Sequence, residues 1–385
     1  MKTRIGIDSL AVAVPRRFLD ITDLARARGV DPAKYTQGLG AREMAVADPG
    51  EDTVSLAATA ARRAIDAAGL DKSELGLIVV GTETGVDHSK PVASFVHGLL
   101  DLPRAMRVYD TQHACYGGTA GLMTAVEWIA SGAADGRSAL VICSDIARYG
   151  IDTAGEPTQG AGAIAMIVAQ NPALLELDIG ISGTSSTHVH DFWRPLGHRE
   201  AQVDGHYSVQ CYLDAVADAY AGWKTAATER DVSAALARIC YHVPFCKMAK
   251  KAHLHLGFDE ASFETQVAPT LGLCARIGNV YTGSLYLGLA GLLDAQATDL
   301  ARRRIGLFSY GSGCTSEFFS GTVANAAAER IAAARIADVL ADRERIGVEE
   351  YERIMAMTAP ADEPPQPGRF RFTGVEAHRR QYLRA

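Results

Sequence analysis

Three side chains in this sequence have the type and setting for nucleophilic and acid–base chemistry: Glu83, Cys115 and His242. Cys115 lies in Thr111-Gln-His-Ala-Cys115-Tyr-Gly-Gly-Thr119, between an expected strand and an expected helix. The strand is Met106–Tyr109, closed by Asp110. The helix shows buried spacing at Ala120, Leu122, Met123, Ala125, Val126, Trp128 and Ile129. A thiol at a helix N-terminus feels the positive end of the dipole and unpaired N–H groups. Such a setting is expected to favour thiolate, moving a pKa of about 8.5 toward roughly 3.5–7.5. Gly117 and Gly118 weaken a helix but would let a substrate approach the backbone. The competing reading of Cys115 is a small buried core residue.

Glu83 follows the apolar run Leu77–Val80 in Gly81-Thr-Glu-Thr-Gly85, and His242 follows Ala237–Tyr241. Strand ends beside loops are where α/β folds collect reactive groups. Taken singly, Glu83 reads equally as a solvated loop acid and His242 as a structural histidine. Asn279, in Ile277-Gly-Asn-Val-Tyr-Thr-Gly-Ser284, could cap a helix or donate to a substrate carbonyl. Ser309-Tyr-Gly-Ser312-Gly313 reads either as a tight turn or as a loop with outward N–H groups, as an oxyanion hole requires. Lys247, Lys250 and Lys251 form either a solvated face or an anion site for a phosphorylated carrier.

These residues need a scaffold, and the chain alternates strand-like and helix-like segments. A helix is expected over Thr53–Gly69, with Asp52 or Thr53 as cap and Gly69 as stop. Strands follow at Leu77–Val80, Ala139–Cys143 and Ala163–Val168, the last entered through the turn-rich Gly155–Gly162. Further on come helix Val209–Ala221, strand Ala237–Tyr241, helix Tyr281–Ala295 and strands Ile305–Ser309 and Phe318–Thr322. This pattern is mixed α/β. Asn171-Pro172 divides it into 1–171, carrying Glu83 and Cys115, and 172–385, carrying His242, Asn279 and Ser312. No clear residue-level repeat links the two halves. The stretch from Ala359 to Gly368, with four prolines, reads as a surface excursion.

Composition narrows the partners. Over 385 residues the net charge is −7, which argues against general nucleic-acid binding. Seven cysteines without a CxxC pair fit free thiols in a reducing cytoplasm. No apolar run approaches the ~18 residues of a membrane span, and the N-terminus reads as strand and turn. Gly160-Ala-Gly162 precedes a strand instead of following one, so a dinucleotide site is not expected. His188/His190 and His253/His255 lack third ligands, and no metal is expected.

Several segments together resemble the hydroxymethylglutaryl-CoA synthase family. They are Ala114-Cys-Tyr-Gly-Gly118, Ser144-Asp-Ile-Ala-Arg-Tyr149, Glu156-Pro-Thr-Gln-Gly-Ala-Gly162, Asp191-Phe-Trp-Arg-Pro195, His242-Val-Pro-Phe245 with Lys247 and Lys251, Gly278-Asn-Val-Tyr-Thr-Gly-Ser-Leu-Tyr286 and Ser309-Tyr-Gly-Ser-Gly313. The order holds from about Ile5 to Thr322, and the C-terminal sixty residues carry less signal. The resemblance implies a thiolase-like five-layered α-β-α-β-α sandwich of two related halves, assembled as a homodimer. It implies Cys115 as acyl-accepting nucleophile, Glu83 as general acid/base and His242 as the group that positions and polarises acetoacetyl-CoA. Acyl-CoA contacts would fall on Pro32, Ala33, Thr158, Ser208, Lys247, Lys251, Asn279 and Ser312. The activity implied is condensation of acetyl-CoA with acetoacetyl-CoA in the mevalonate route to isoprenoids, with the CoA thioesters as substrates and no cofactor. The rival within the family makes the same bond on acyl-carrier-protein substrates during polyketide synthesis. A ketoacyl synthase would not need Glu83, a silent partner would not keep all three groups, and a papain-like hydrolase has no use for Lys247.

Overall fold

The computed structural model describes residues 4–198, 200–232 and 234–384. Its main sheet comprises β1 (Ile5–Ala13), β2 (Leu75–Gly81), β3 (Arg107–Thr111), β4 (Ser138–Ala147), β5 (Gly160–Gln170), β6 (Leu175–Ser186), β7 (Arg238–Tyr241), β8 (Arg304–Gly311) and β9 (Thr315–Val323). The helices that matter for the site are α1 (Thr53–Ala68), α2 (Gly117–Ala130), α3 (Gly205–Glu229), α4 (Lys247–His255) and α5 (Ser284–Leu300). The strand order is β7-β8-β9-β6-β1-β5-β4-β2-β3.

That order contains its own repeat. Outward from β1, the sheet runs through β5 and β4 by antiparallel pairing, then β2 and β3 by parallel pairing. Outward from β6, it runs through β9 and β8 antiparallel, then β7 parallel. In each half the first strand pairs the last, the last pairs the one before it, and a parallel strand follows. The halves meet where β1 and β6 pair antiparallel at Gly6/Glu176 and Ile7/Leu175. Asn171 and Pro172 sit in the short link between β5 and β6.

Helices complete the layers. On the N-terminal half α1 covers β1, β4 and β5, while α2 packs on β2 and β4. On the C-terminal half α3 covers β6 and β9, while α5 packs on β7 and β8. Thr119 Oγ1 of α2 and Tyr286 OH of α5 are hydrogen-bonded at 2.7 Å, joining the helices of the middle layer. Residues 284–290 of α5 are buried on every side, Leu285, Leu287 and Leu289 among them, and a solvent face opens only from Asp294 onward. This is the thiolase-like sandwich of two related halves.

Local rules explain most boundaries. Asp52 caps α1 by accepting from Ser55 N at 2.8 Å, and Gly69 ends it at φ +63°. Other elements depart from the sequence expectation. β3 begins at Arg107 and includes Asp110. α3 starts earlier than Val209 because Asp204 caps it, accepting from Tyr207 N at 3.1 Å. The helix expected from Tyr281 begins instead with a tight turn, Tyr281–Gly283, before α5 proper. β6 is absent from the sequence reading, although Leu175, Leu177, Ile179 and Ile181 alternate with polar residues. A C-terminal hairpin, Phe370–Glu376 with Arg379–Arg384, follows the proline-rich stretch. Among the described residues no helix is long and apolar enough to cross a membrane.

Candidate active site

β4 continues past Cys143, so Asp145 lies inside the sheet, paired opposite Gly162 and fully buried. Its Oδ1 accepts from Thr82 Oγ1 (2.9 Å), Glu83 N (3.0 Å), Thr84 N (3.1 Å) and Thr84 Oγ1 (2.7 Å). Its Oδ2 accepts from Thr282 N (3.1 Å) and from the Thr282 hydroxyl. One carboxylate thereby anchors the loop after β2 to the turn before α5, across the two halves. Burial pushes the Asp145 carboxyl up, and the hydrogen bonds from Thr282, Thr84, Glu83 and Thr82 oppose that.

Glu83 is held by that anchor. Cys115 Sγ donates to Glu83 Oε1 at 3.3 Å. Burial raises the Glu83 carboxyl to about 8, helped by the nearby Asp145 charge and opposed by the thiol hydrogen bond and by Arg194. The sequence expectation of a lowered Cys115 pKa is overturned: the thiol is pushed well above its ordinary value, by burial first and then by the Glu83 and Asp145 charges. Cys115 lies two residues ahead of α2, and local carbonyls take the N–H groups of that turn. Tyr116 N donates to His113 O, Gly117 N to Ala114 O, and Thr119 N and Ala120 N to Tyr116 O. The cysteine therefore faces an acid, not a ring of free donors.

The paired glycines also meet a packing demand that the sequence reading did not include. A Cβ on Gly118 would lie 2.3 Å from Cys143 Sγ and 2.9 Å from Thr282 O. A Cβ on Gly117 would lie 3.0 Å from Thr111 O. They let α2 seat against protein, and no approach of substrate is needed to explain them. From the other half, Gly311 fits where a Cβ would be 2.5 Å from both His113 O and Tyr116 N. Tyr116 OH donates to Glu317 Oε2 at 2.8 Å, tying the Cys115 loop to β9.

A cavity of about 250 Å³ opens onto the sulfur. Its wall brings together Cys115, Thr158, Ser208, His242, Asn279 and Ser312, from both halves. Glu83 meets this space through its contact with Cys115 and is not itself part of the wall. Pro32 and Ala33 are in the short helix Pro32–Thr36, and Lys247 and Lys251 are exposed on α4; none of the four lines the cavity. The two lysines flank its rim, since Leu39 lines it and accepts from Lys247 N at 3.0 Å, and Lys251 Nζ lies 5.9 Å from the Phe245 ring centroid.

His242 is 3 % exposed, and burial alone lowers its imidazole to about 3, so the ring is neutral. Tyr212 OH donates to His242 O at 2.6 Å, and His242 N donates to Phe308 O at 2.7 Å, fixing its backbone. Asn279 is not the cap of α5, which starts after Gly283 without a side-chain cap; its Oδ1 accepts from Tyr281 N and Ser284 Oγ, both at 2.9 Å, shaping the turn into α5. Its Nδ2 donates to Tyr149 OH at 3.1 Å. In the Ser309–Gly313 loop, Gly313 N is taken by Asp191 Oδ1 at 3.0 Å.

Sequence reasoning assigned no role to Asp145, Asp191, Tyr149, Tyr281 or Tyr310. Tyr149, Tyr281 and Tyr310 line the cavity, and the Phe192 ring packs against the first two with centroids 6.3 and 5.7 Å away. Asp191, fully buried, accepts from Tyr310 OH at 2.7 Å and Ser208 Oγ at 3.4 Å. An acid continuing an apolar run, as Asp145 continues Ala139–Cys143, was the available signal. Among the described residues no cluster of three His, Cys, Asp or Glu side chains could hold a metal ion.

Comparison with known proteins agrees with this geometry. Residues 1–173 match the family of hydroxymethylglutaryl-coenzyme A synthase N-terminal domains, and residues 175–266 and 256–362 match that of the C-terminal domains. A hydroxymethylglutaryl-CoA synthase of Enterococcus faecalis is 38% identical, over 93% of each chain. A polyketide-biosynthesis 3-hydroxy-3-methylglutaryl-ACP synthase, PksG of Bacillus subtilis, is 35% identical over 90% of this chain and 87% of its own. The solved structure of MvaS in complex with 3-hydroxy-3-methylglutaryl coenzyme A superposes with a TM-score of 0.98 at 60% identity, over 100% of this chain and 99% of that one.

Proposed function

The chain belongs to the hydroxymethylglutaryl-CoA synthase family, and we propose that it condenses acetyl-CoA with acetoacetyl-CoA and water to give HMG-CoA and CoA. The observation that carries this is the Cys115–Glu83 contact at the end of a cavity shared with His242 and Asn279. In the first step Cys115 sulfur bonds the acetyl carbonyl carbon and the CoA–sulfur bond breaks. Glu83 takes the thiol proton and passes it to the leaving CoA thiolate. In the second step Glu83, again ionised, removes a methyl proton from acetyl-Cys115. The enolate oxygen lies against backbone N–H groups, those of Cys115 and Ser312; one such donor is typically worth about 10²–10³ in rate.

The enolate carbon then attacks the ketone of acetoacetyl-CoA. Neutral His242 and the Asn279 amide polarise that oxygen, and the resulting alkoxide takes back the proton that Glu83 holds. Water finally cleaves the Cys115 thioester, freeing the carboxylic acid and restoring the thiol. A Glu83 carboxyl near neutrality suits this alternation of base and acid. A neutral imidazole suits hydrogen-bond donation without a competing charge.

Thr158, Ser208, Asn279 and Ser312 serve as contacts to the acyl-pantetheine arm, and Pro32, Ala33, Lys247 and Lys251 as contacts at the rim, where the lysines meet phosphates. Residues 1–171 and 172–385 are the two functional halves. The protein is a cytoplasmic homodimer acting in isoprenoid supply, with CoA thioesters as substrates and no cofactor. A turnover assay offering acetoacetyl-CoA and acetoacetyl-carrier protein in parallel tests this reading. Preferential use of the CoA ester is expected. Preference for the carrier would move the chain to the β-branching reading, and inactivity with both would end the condensing assignment.

A further inference from the structure

The helix Val348–Ala356 follows the strands of the main sheet in sequence, yet it meets the segment behind the cavity wall. Its Tyr351, 1 % exposed, packs in a small separate core with Leu19, Ile21, Leu24, Met44, Val46 and Ile354. The Tyr351 hydroxyl accepts from Gln159 Nε2 at 2.8 Å and donates to Glu156 Oε1 at 3.1 Å. Gln159 Oε1 in turn accepts from Tyr149 N at 2.8 Å, and Glu156 Oε2 accepts from Asp152 N at 3.0 Å. Arg28 grips the same Glu156 through two hydrogen bonds, at 2.9 and 2.8 Å. On its other side the 155–160 segment presses directly on the reaction end. Asn279 N donates to Thr158 O at 3.1 Å, and a Cβ on Gly278 would lie 2.0 Å from Gln159 O.

We propose that Tyr351 is a positioning residue for the condensation: through Gln159 and Glu156 it sets Tyr149, Thr158 and Asn279 against the acyl end of the cavity. Removing the hydroxyl leaves Gln159 Nε2 without its oxygen partner and takes one donor from Glu156, which Arg28 and Asp152 still hold, so the displacement falls on Gln159 and the segment it carries. The effect concerns geometry, since Tyr351 is outside the cavity wall and touches no substrate. The inference rests on the condensing function proposed above.

Tyr351→Phe keeps the ring in its core and deletes only the hydroxyl; Gln159→Met breaks the next link. Each is expected to lower kcat for HMG-CoA formation roughly five- to tenfold, the scale of a modest misplacement, with little change in KM for acetoacetyl-CoA and a modestly lower Tm from the groups left unpaired. The double variant should be no slower than the slower single, because both cut one chain. Alkylation of Cys115 by iodoacetamide gives a readout that needs no turnover, and it should quicken in all three as the wall loosens. Variants that turn over and alkylate like the parent overturn the positioning role, as does a double variant whose loss is the product of the singles. A parent that alkylates differently from its variants but makes no HMG-CoA would instead sink the functional reading while leaving the positioning intact.

Discussion

Cys115 Sγ and Glu83 Oε1 lie 3.3 Å apart with the thiol as donor, so nucleophile and acid/base form one hydrogen-bonded pair before any substrate arrives. Both are pushed upward by burial, and the Glu83 charge further disfavours the thiolate. The pair therefore rests protonated and ionises as chemistry demands. A free thiolate is not the resting species.

The pH dependence follows with a definite sign. Glu83 must be ionised to accept a proton, and its pKa is about 8, so kcat/KM should climb as pH rises through that value. His242, at about 3, stays neutral throughout and adds no inflection at the ordinary histidine value of about 6.5. A kcat/KM profile flat between pH 7 and 9, or one inflecting near 6.5, contradicts this assignment.

Substitutions should separate the two half-reactions. Cys115→Ala should take no label from radiolabelled acetyl-CoA. Glu83→Ala should still become acetylated, though slowly, and make no HMG-CoA. With Glu83→Gln the carboxylate charge opposite the thiol is gone, so the pH limb for Cys115 alkylation should move downward. Equal labelling of the Cys115→Ala protein would remove the cysteine from the mechanism.

Asp145→Asn tests the anchor behind Glu83. The amide nitrogen cannot accept, and a hydrogen bond to a charged group is worth about 1.5–3 kcal/mol, so Tm should fall. Loss of the Asp145 charge should also move the Glu83 limb below about 8. A limb that stays in place while Tm falls would make Asp145 purely structural.

Gly118→Ala should destabilise the fold by about 1–3 kcal/mol, the usual cost of overpacking, because its methyl would collide with Cys143 and Thr282. Urea titration measures this directly. Gly85→Ala, which meets nothing within 4 Å, is the control and should leave the midpoint unmoved.

Glu83 and His242 were legible because each follows an apolar strand, and Cys115 because it stands just ahead of the apolar spacing of α2. Helix α1 was legible from its Asp52 cap and Gly69 stop. The thiol's pKa was not, because the local helix rule knows nothing of Asp145 thirty residues away or of which carbonyls take the turn's N–H groups. The role of Gly118 was hidden similarly, since Cys143 and Thr282 reach it only through tertiary packing. β6 carried a readable alternation, but its place beside β1 follows from the pseudo-symmetric sheet. Tyr351 had no local signal at all: its partners are some 190 residues upstream.

The Oδ1 and Oδ2 atoms of Asp145 each serve a different half of the polypeptide. A protein severed in the link at residues 171–174 would yield one fragment owning sulfur and acid, another owning imidazole and amide. Neither piece could catalyse alone, and reassembly of the two would be scored by the return of a single buried aspartate to its full set of donors.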